Sequence, residues 1–222
     1  MMQPAGVQHD TRQMRYYVLS AGMSRSASTW LFNIARKIVE TETGGAARSG
    51  WVDDFRAGEG DAVVKLHGFD AEKAGVASHI LYSYRDIRDV LASRMRIWSE
   101  KPTLKTANHL IRLHECWSRV ATTALRYDDI IADPAASAAR VGAALGAARS
   151  DPSAIAEEVA AMKFDRAQEG RPHDCVTLFH KNHITDGRSG VWGDHLAPAF
   201  VEKIEARHEA WFRDNGFALT TR

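Results

Sequence analysis

The sequence predicts an α/β fold with three layers, in which a mostly parallel sheet is flanked by helices. Two observations favour this class. Short apolar segments rich in strand-forming residues alternate with longer segments of helical periodicity, an order typical of parallel sheets covered on both faces. The 222 residues are 45% hydrophobic and 26% charged, the balance of an ordinary globular domain. We therefore expect a single domain over 1–222, with a polar tail at 1–14.

The first half of the chain contains three predicted strands, at 16–21, Ala62–Leu66 and 80–84. A helix follows the first strand, because apolar residues recur there at helical spacing: Trp30, Leu31, Ile34, Ala35 and Ile38. Asp86 is a predicted helix cap after the third strand. The alternation predicts a sheet with helices packed against it.

The second half begins with a helix at 103–120 and a short fourth strand at 124–127. Asp133-Pro134 and Asp151-Pro152 are predicted helix starts, each with a capping carboxylate before a proline. Residues 164–196 are rich in Gly, His and Arg without periodicity, which indicates a long active-site loop or lid. A last helix is predicted at 198–215.

Composition excludes several classes of function. With 29 Lys and Arg against 28 Asp and Glu the net charge is +1, which argues against a protein that coats nucleic acid or anionic membrane. Cys116 and Cys175 are too few for a disulfide framework, and no apolar stretch is long enough for a signal peptide or a membrane span. We therefore expect a cytoplasmic protein without nucleic-acid or membrane partners.

The strand–loop–helix at 16–38 is the most informative feature of the sequence. Against the phosphate-loop pattern G-x-x-x-x-G-K-[ST], it has Gly22, Ala27, Ser28 and Thr29 at the pattern positions. Small residues let backbone N–H groups approach an oxyanion, and the start of the helix adds the positive end of its dipole. The lysine of the pattern is missing, and Arg25 supplies a cation instead.

Residues 23–31, MSRSASTWL, resemble the 5′-phosphosulfate loop of sulfotransferases that use 3′-phosphoadenosine 5′-phosphosulfate (PAPS). The resemblance implies a sulfotransferase fold, which is related to that of the phosphate-loop nucleotidases. It also implies that the 5′-phosphosulfate of the donor is bound by Arg25, Ser26, Ala27, Ser28 and Thr29. Trp30 would contact the adenine.

A second motif follows the third predicted strand. Arg85, at the end of the strand, and Ser93, eight residues later on the next helix, resemble the family's site for the 3′-phosphate of the donor. Open α/β sheets bind ligands at the carboxyl ends of their strands, where Arg85 is predicted to lie. The arginine fork and the serine hydroxyl are suitable donors for a phosphate.

The third motif, Lys65-Leu66-His67, resembles the family's Lys-Thr-His, with Leu66 in place of the usual threonine. The family's histidine is a general base, so the resemblance makes His67 the base that deprotonates the acceptor. An unperturbed imidazole, with a pKa near 6.5, is mostly neutral at pH 7. Lys65 would contact the sulfuryl oxygens or the adjacent phosphate, and Arg25 would stabilise charge beside it.

Two further segments resemble the family. Tyr127, in Tyr-Asp-Asp-Ile, resembles the tyrosine that faces the adenine. Gly187 and Arg188 begin GRSGVW, which resembles a C-terminal segment that closes over the 3′-phosphate. Thr185-Asp186 stand where the family has Arg-Lys, so Arg188 or Lys181 is the candidate for the missing charge.

These resemblances, in the correct order from Tyr16 to Trp192, imply a PAPS-dependent sulfotransferase acting on a small hydroxyl or amine acceptor. The product would be adenosine 3′,5′-bisphosphate (PAP). Side-chain cations would replace a metal, and no spacing among the histidines of the long loop matches a zinc signature. An ATP-dependent small-molecule kinase with a degenerate phosphate loop and a non-catalytic nucleotide-binding protein are the alternatives.

Overall fold

The computed structural model describes residues 15–45, 47–163, 173–180 and 187–220. Its strands are β1 (Tyr17–Gly22), β2 (Arg48–Trp51), β3 (Ala62–Leu66), β4 (His79–Tyr84) and β5 (Thr123–Arg126). They form one parallel sheet in the order β2-β3-β1-β4-β5. The predicted α/β class with a parallel sheet is confirmed.

Helices follow or separate the strands: α1 (Ser28–Thr43), α2 (Ala71–Val76), α3 (Ile87–Trp98), α4 (Leu104–Val120), α5 (Tyr127–Ala132), α6 (Pro134–Ala144), α7 (Pro152–Ala161), α8 (Pro198–Arg207) and α9 (Glu209–Asp214). Single 3₁₀ turns occur at Val52–Asp54 and Val191–Asp194. Along the described chain, no helix combines the length and apolar character that a bilayer span requires.

The predicted helix starts are confirmed by their caps. The carboxylate of Asp86 accepts a hydrogen bond from the backbone N–H of Arg88, at 2.9 Å. Asp133 and Asp151 cap α6 and α7 in the same manner, and each of these helices has proline in its first turn.

Two predictions about elements were incomplete. The edge strand β2 was not predicted, because its sequence, RSGW, has a charged residue and a glycine in only four positions. The single helix predicted at 198–215 is two helices, α8 and α9, separated at His208. Of the predicted loop at 164–196, the described parts are 173–180 and 187–196, which contain the 3₁₀ turn at Val191–Asp194.

Helices cover both faces of the sheet, which explains why all of β1 is buried. Helices α1, α6 and α7 pack on one face, against Val18 of β1 and Leu81 of β4. Helices α3, α4, α8 and α9 pack on the other face, against Leu19 of β1 and Tyr82 of β4. Because side chains alternate along a strand, neighbouring residues of β1 enter different cores.

A buried ion-pair network joins the start of α3 to the last two helices. The guanidinium of Arg88 donates to both carboxylate oxygens of Asp86, to Glu205 and to the backbone oxygen of Ala218. The rest of the Glu205 carboxylate accepts the backbone N–H of Thr220 at 3.1 Å and its hydroxyl at 2.6 Å. This network fixes α3, whose first turn lies beside the site described below.

We expect Glu205→Gln to lower the free energy of unfolding by about 3 kcal/mol, because it removes one of the two carboxylates that pair with the buried Arg88 guanidinium. Glu209→Gln is the matched control, since Glu209 forms an exposed i,i+4 pair with Arg213, worth at most about 1 kcal/mol. Urea unfolding of the two variants measures the difference. Equal effects would show that the buried pair contributes no more than the exposed one.

Candidate active site

The loop between β1 and α1 is curled tightly against β4. The backbone N–H of Met23 donates to the carbonyl of Ser83 at 2.9 Å, and Arg25 and Ala27 have left-handed φ angles of 65° and 61°. A Cβ on Gly22 would lie 2.6 Å from both Ser28 Cβ and Ser83 Oγ, so only glycine fits there.

The side chain of Ser26 stabilises this loop through hydrogen bonds. Its hydroxyl is fully buried and lies 2.7 Å from the carbonyl of Met23, 3.0 Å from the carbonyl of Ser83 and 2.9 Å from the Ser83 hydroxyl. The sequence placed Ser26 among the residues that bind the donor. With its side chain occupied inside the protein, Ser26 can serve a ligand only through its backbone.

The first turn of α1 follows this loop directly and also lines the cleft. Its N-cap, Ala27, has no side-chain capping bond, and the turn contains no acidic residue. The cleft wall includes Ser28, Thr29 and Trp30. A helix start with uncapped N–H groups and hydroxyls beside it favours an anion.

Lys65 approaches this helix start from β3. Its Nζ donates to the hydroxyl of Thr29 and lies 5.3 Å from the centre of the Trp51 ring. Only 3% of Lys65 is exposed. Burial lowers the pKa of Lys65 to about 7, so the amine is charged in only part of the molecules at neutral pH.

His67 follows β3 and is held in one tautomer. Its Nδ1 lies 2.7 Å from the carbonyl oxygen of Gly22. Because a carbonyl can only accept, Nδ1 carries the proton and Nε2 keeps its lone pair. Burial, and then the charge of Lys65, lower the pKa of His67 to about 4. The ordinary pKa near 6.5 assumed from the sequence is therefore wrong for this site.

Arg85 connects the β1–α1 loop to the chain that follows residue 186. One of its guanidinium nitrogens donates to the carbonyl of Arg25 at 3.2 Å and the other to the carbonyl of Arg188 at 2.6 Å. The guanidinium carbon lies 3.9 Å from the centre of the Tyr127 ring. The structure thus brings together Arg25, Arg85, Tyr127 and the 187–188 backbone.

Arg25 and Ser93 form a pair at the edge of this group. Arg25 Nε donates to the Ser93 hydroxyl at 2.9 Å. Burial, followed by the charge of Arg85, lowers the pKa of Arg25, which is the expected cost of holding two guanidinium groups close together. Ser93 is buried and contacts Arg25.

These groups surround a cleft of about 940 Å³ at the carboxyl ends of β1, β3 and β4. The described residues of its wall include four basic side chains, those of Arg25, Lys65, Arg85 and Arg94. None of the described wall residues is Asp or Glu. The described residues also contain no cluster of three or more His, Cys, Asp or Glu side chains suited to a metal. The chemistry of this donor set fits a polyanion.

The remaining wall is mostly apolar. Tyr82, Leu110 and Trp117 of the wall belong to the core on the α3 and α4 face of the sheet. Ile130, Val159 and Leu178 belong to the core on the α1 face, and Trp30 packs against it. The cleft therefore combines positive charge with apolar surface from both faces of the sheet.

Within the loop predicted at 164–196, the sequence analysis did not specify the turn that delivers Leu178 and Phe179 to the cleft. The Asp174 carboxylate accepts the backbone N–H groups of Val176 and Thr177 at 2.9 and 2.6 Å, and the carbonyl of Thr177 accepts from Asn33 of α1 at 2.8 Å. The spacing Asp174-x-x-Thr177 is typical of such side-chain turns and could have indicated it. Lys181, Thr185 and Asp186, which the sequence analysis also discussed, lie outside the described residues.

Comparison with known proteins identifies the fold. No family model and no curated protein sequence matches the chain. Among solved structures, mouse sulfotransferase SULT7A1 complexed with PAP is 14% identical, with a TM-score of 0.59 over 90% of this chain and 84% of that one. Retinol dehydratase in complex with androsterone and the inactive cofactor PAP is 17% identical, with a TM-score of 0.57 over 92% and 82%. The chain has the sulfotransferase fold.

We expect anion binding to be accompanied by proton uptake. A bound anion favours the charged form of Lys65 and raises its pKa above the value of about 7 in the free protein. Uptake should approach one proton at about pH 8, where the free amine is mostly neutral, and should be small at about pH 6. Calorimetry of pyrophosphate binding in two buffers of different ionisation enthalpy measures it.

Lys65→Met is the control for this titration, because it removes the titrating group and keeps an apolar side chain of similar length. The variant should bind pyrophosphate more weakly and without the pH-dependent uptake. Equal proton uptake by Lys65→Met and by the unaltered protein would assign the proton to another group.

Proposed function

We propose that this protein transfers a sulfuryl group from PAPS to the hydroxyl of a small acceptor. The observation that carries the proposal is that Arg25, Lys65, His67 and Arg85 come from three neighbouring strand ends into one cleft whose described wall has no acidic residue. The same side chains are those that resemble the motifs of PAPS-dependent sulfotransferases. The fold, shared with proteins crystallised with PAP, supports this proposal.

The residues present fit the donor nucleotide. Arg25, Ser28 and Thr29, with the backbone of Ser26 and Ala27, would bind the 5′-phosphosulfate at the start of α1. Arg85, Ser93 and the backbone at Gly187 and Arg188 would bind the 3′-phosphate. Trp30 and Tyr127, which both line the cleft, would enclose the adenine. Bound there, PAPS supplies an activated sulfuryl group.

His67 is the proposed general base. Its Nε2 has the free lone pair, since Nδ1 is bonded to the carbonyl of Gly22. The apolar wall of Tyr82, Leu110 and Trp117 would hold the acceptor with its hydroxyl, or an amine, toward this nitrogen. A pKa of about 4 keeps the imidazole unprotonated, with its Nε2 lone pair free, at neutral pH.

Arg25 and Lys65 would provide the electrostatic stabilisation. Both are fixed before the reaction, Arg25 by Ser93 and Lys65 by Thr29. Charged donors that are already oriented in a cleft with little water stabilise charge that develops on transferring oxygens. A sulfuryl group is less negative than a phosphoryl group, so we propose that these cations act without a metal.

The kinase alternative predicts tight binding of Mg-ATP. Ser28 occupies the position of the lysine that bridges the phosphates in phosphate-loop kinases. Phosphoryl transfer also uses magnesium, which is held by carboxylates or hydroxyls of the protein. The described wall offers the hydroxyls of Ser28 and Thr29 but no carboxylate for it, which favours the sulfuryl donor.

We expect the protein to bind PAP more tightly than adenosine 5′-phosphate or Mg-ATP. Arg85→Ala should weaken the binding of PAP by about tenfold or more, since a hydrogen-bonded charge is lost, and should change that of adenosine 5′-phosphate much less. Titration calorimetry of the three nucleotides measures both differences. The control is Arg140→Ala, since Arg140 bonds the carbonyl of Ala124 outside the cleft. Preference for Mg-ATP would favour the kinase, and equal losses for PAP and adenosine 5′-phosphate would contradict the role of Arg85.

We expect His67→Ala to lower turnover with PAPS and a hydroxylated acceptor by at least about 100-fold while PAP binding persists. His79→Ala is the control, since His79 lies at the opposite end of β4. Protonation removes the lone pair of His67, so kcat/KM should fall only as the pH approaches its pKa of about 4. An acid limb centred near pH 6.5, or full activity in His67→Ala, would refute this assignment of the base.

A further inference from the structure

The segment Gly187–Trp192 lies against the end of β4 and the first turn of α3. Its backbone is attached there by three hydrogen bonds of the described structure. The carbonyl of Arg188 accepts from Arg85 at 2.6 Å, and the N–H groups of Gly190 and Trp192 donate to the carboxylate of Asp89 at 2.8 and 3.1 Å. The backbone of the segment is therefore held by one cation and one carboxylate of the same strand–helix connection, while its side chains add a Ser189–Asp128 hydrogen bond and the contact of Trp192 with Arg88.

Asp89 occupies an unusual position for a carboxylate. It is 2% exposed, and each of its two oxygens accepts one backbone N–H from the segment. One of these oxygens is also 3.6 Å from a guanidinium nitrogen of Arg85. Asp89 thus contacts both the segment and the arginine that bonds to the segment.

We propose that Asp89 is a positioning residue of the nucleotide site, which clamps the Gly187–Trp192 segment and orients Arg85 toward the ligand. The inference rests on the proposed function, because Arg85 is there assigned to the 3′-phosphate. Asp89 itself does not line the cleft and acts through Arg85 and through the backbone beside Gly187.

The arrangement around Arg85 supports this role. Its guanidinium is stacked on Tyr127 and bonded to the carbonyls of Arg25 and Arg188. If the segment left α3, Arg85 would lose the Arg188 carbonyl and could turn toward solvent. Burial raises the pKa of Asp89, while Arg85 and the two N–H donors oppose that rise and favour the ionised form that accepts both bonds.

If Asp89 acted only through its charge, its removal would change the affinity for PAP in the opposite direction to loss of the clamp. A carboxylate close to Arg85 reduces the positive charge that a phosphate meets, so removing this charge alone would tighten the binding of PAP. Loss of the clamp instead weakens it. Asp89→Asn, which is nearly isosteric but has one oxygen for two N–H donors, separates the two effects.

The test is titration calorimetry of Asp89→Asn with PAP and with adenosine 5′-phosphate. We expect the Kd of PAP to rise by about tenfold or more and that of adenosine 5′-phosphate by less than about threefold. Asp151→Asn is the control for loss of a carboxylate charge, because Asp151 accepts two backbone N–H groups through Oδ1 alone and outside the cleft, and it should leave both constants unchanged. Unchanged or tighter PAP binding by Asp89→Asn would overturn the proposal.

Hydrogen exchange without nucleotide tests the clamp independently of the function. The amides of Gly190 and Trp192 should exchange at least about tenfold faster in Asp89→Asn, while that of Val90, bonded within α3, should not change. Equal protection of Gly190 and Trp192 in both proteins would overturn the clamp. If the unaltered protein does not prefer PAP to adenosine 5′-phosphate, the proposed function fails, and the exchange data still decide the clamp.

The melting temperature, followed by circular dichroism, shows whether the variant is folded. Should Asp89→Asn not fold, Asp89→Glu keeps the charge and displaces the carboxylate by one methylene. The same loss of preference for PAP is expected from it. Normal preference in a folded Asp89→Glu variant would show that the position of this carboxylate is unimportant.

Discussion

The site depends on the register in which β1 pairs with β3 and with β4. Ala21 of β1 lies beside Leu66 of β3, and Gly22 lies beside Ser83 of β4. Three chain segments therefore leave the sheet at the same level, and the bonds from His67 to Gly22 and from Met23 to Ser83 join them there. A shift by two residues would move one segment by about 6.6 Å and separate the histidine from the loop. The geometry of the cleft is thus a consequence of strand pairing in a buried sheet.

The described wall of the cleft has basic side chains and no acidic one. These basic side chains differ in whether they can lose their charge. Lys65 can release a proton, and its burial lowers its pKa to about 7. Arg25 and Arg85 cannot lose their charge at physiological pH, and Arg85 is stabilised by backbone carbonyls, by the Tyr127 ring and by the Asp89 carboxylate behind the cleft wall. The positive charges of the cleft repel one another, and a bound anion reduces this repulsion. Part of the binding energy of an anion therefore comes from stabilising these charges.

Local patterns were predictable from the sequence, whereas tertiary effects were not. The core strands and the caps Asp86, Asp133 and Asp151 depend on nearby residues, and they were predicted correctly. The arrangement of Arg25, Arg85 and Tyr127 was predictable because each lies at the end of a recognisable strand or in a motif. The pKa of His67 was not, because it is set by burial and by a neighbouring lysine. Asp89 was missed since its partners follow it by about 100 residues.

The β1–α1 loop lacks the lysine of the phosphate-loop pattern, but a lysine of β3 reaches the same loop. Ser28 stands at the pattern's lysine position, and Lys65 brings an amine to the next residue, Thr29, from the neighbouring strand. Lys65 lies on β3, an interior strand whose backbone is hydrogen-bonded to β1 and β2, and its side chain is buried. Burial leaves Lys65 charged in only part of the molecules at neutral pH, whereas the burial of His67, and then the charge of Lys65, keep the imidazole neutral. In the proposed sulfotransferase, Lys65 in β3 would supply a cation for the transferring group while the neighbouring His67 stays unprotonated as the base.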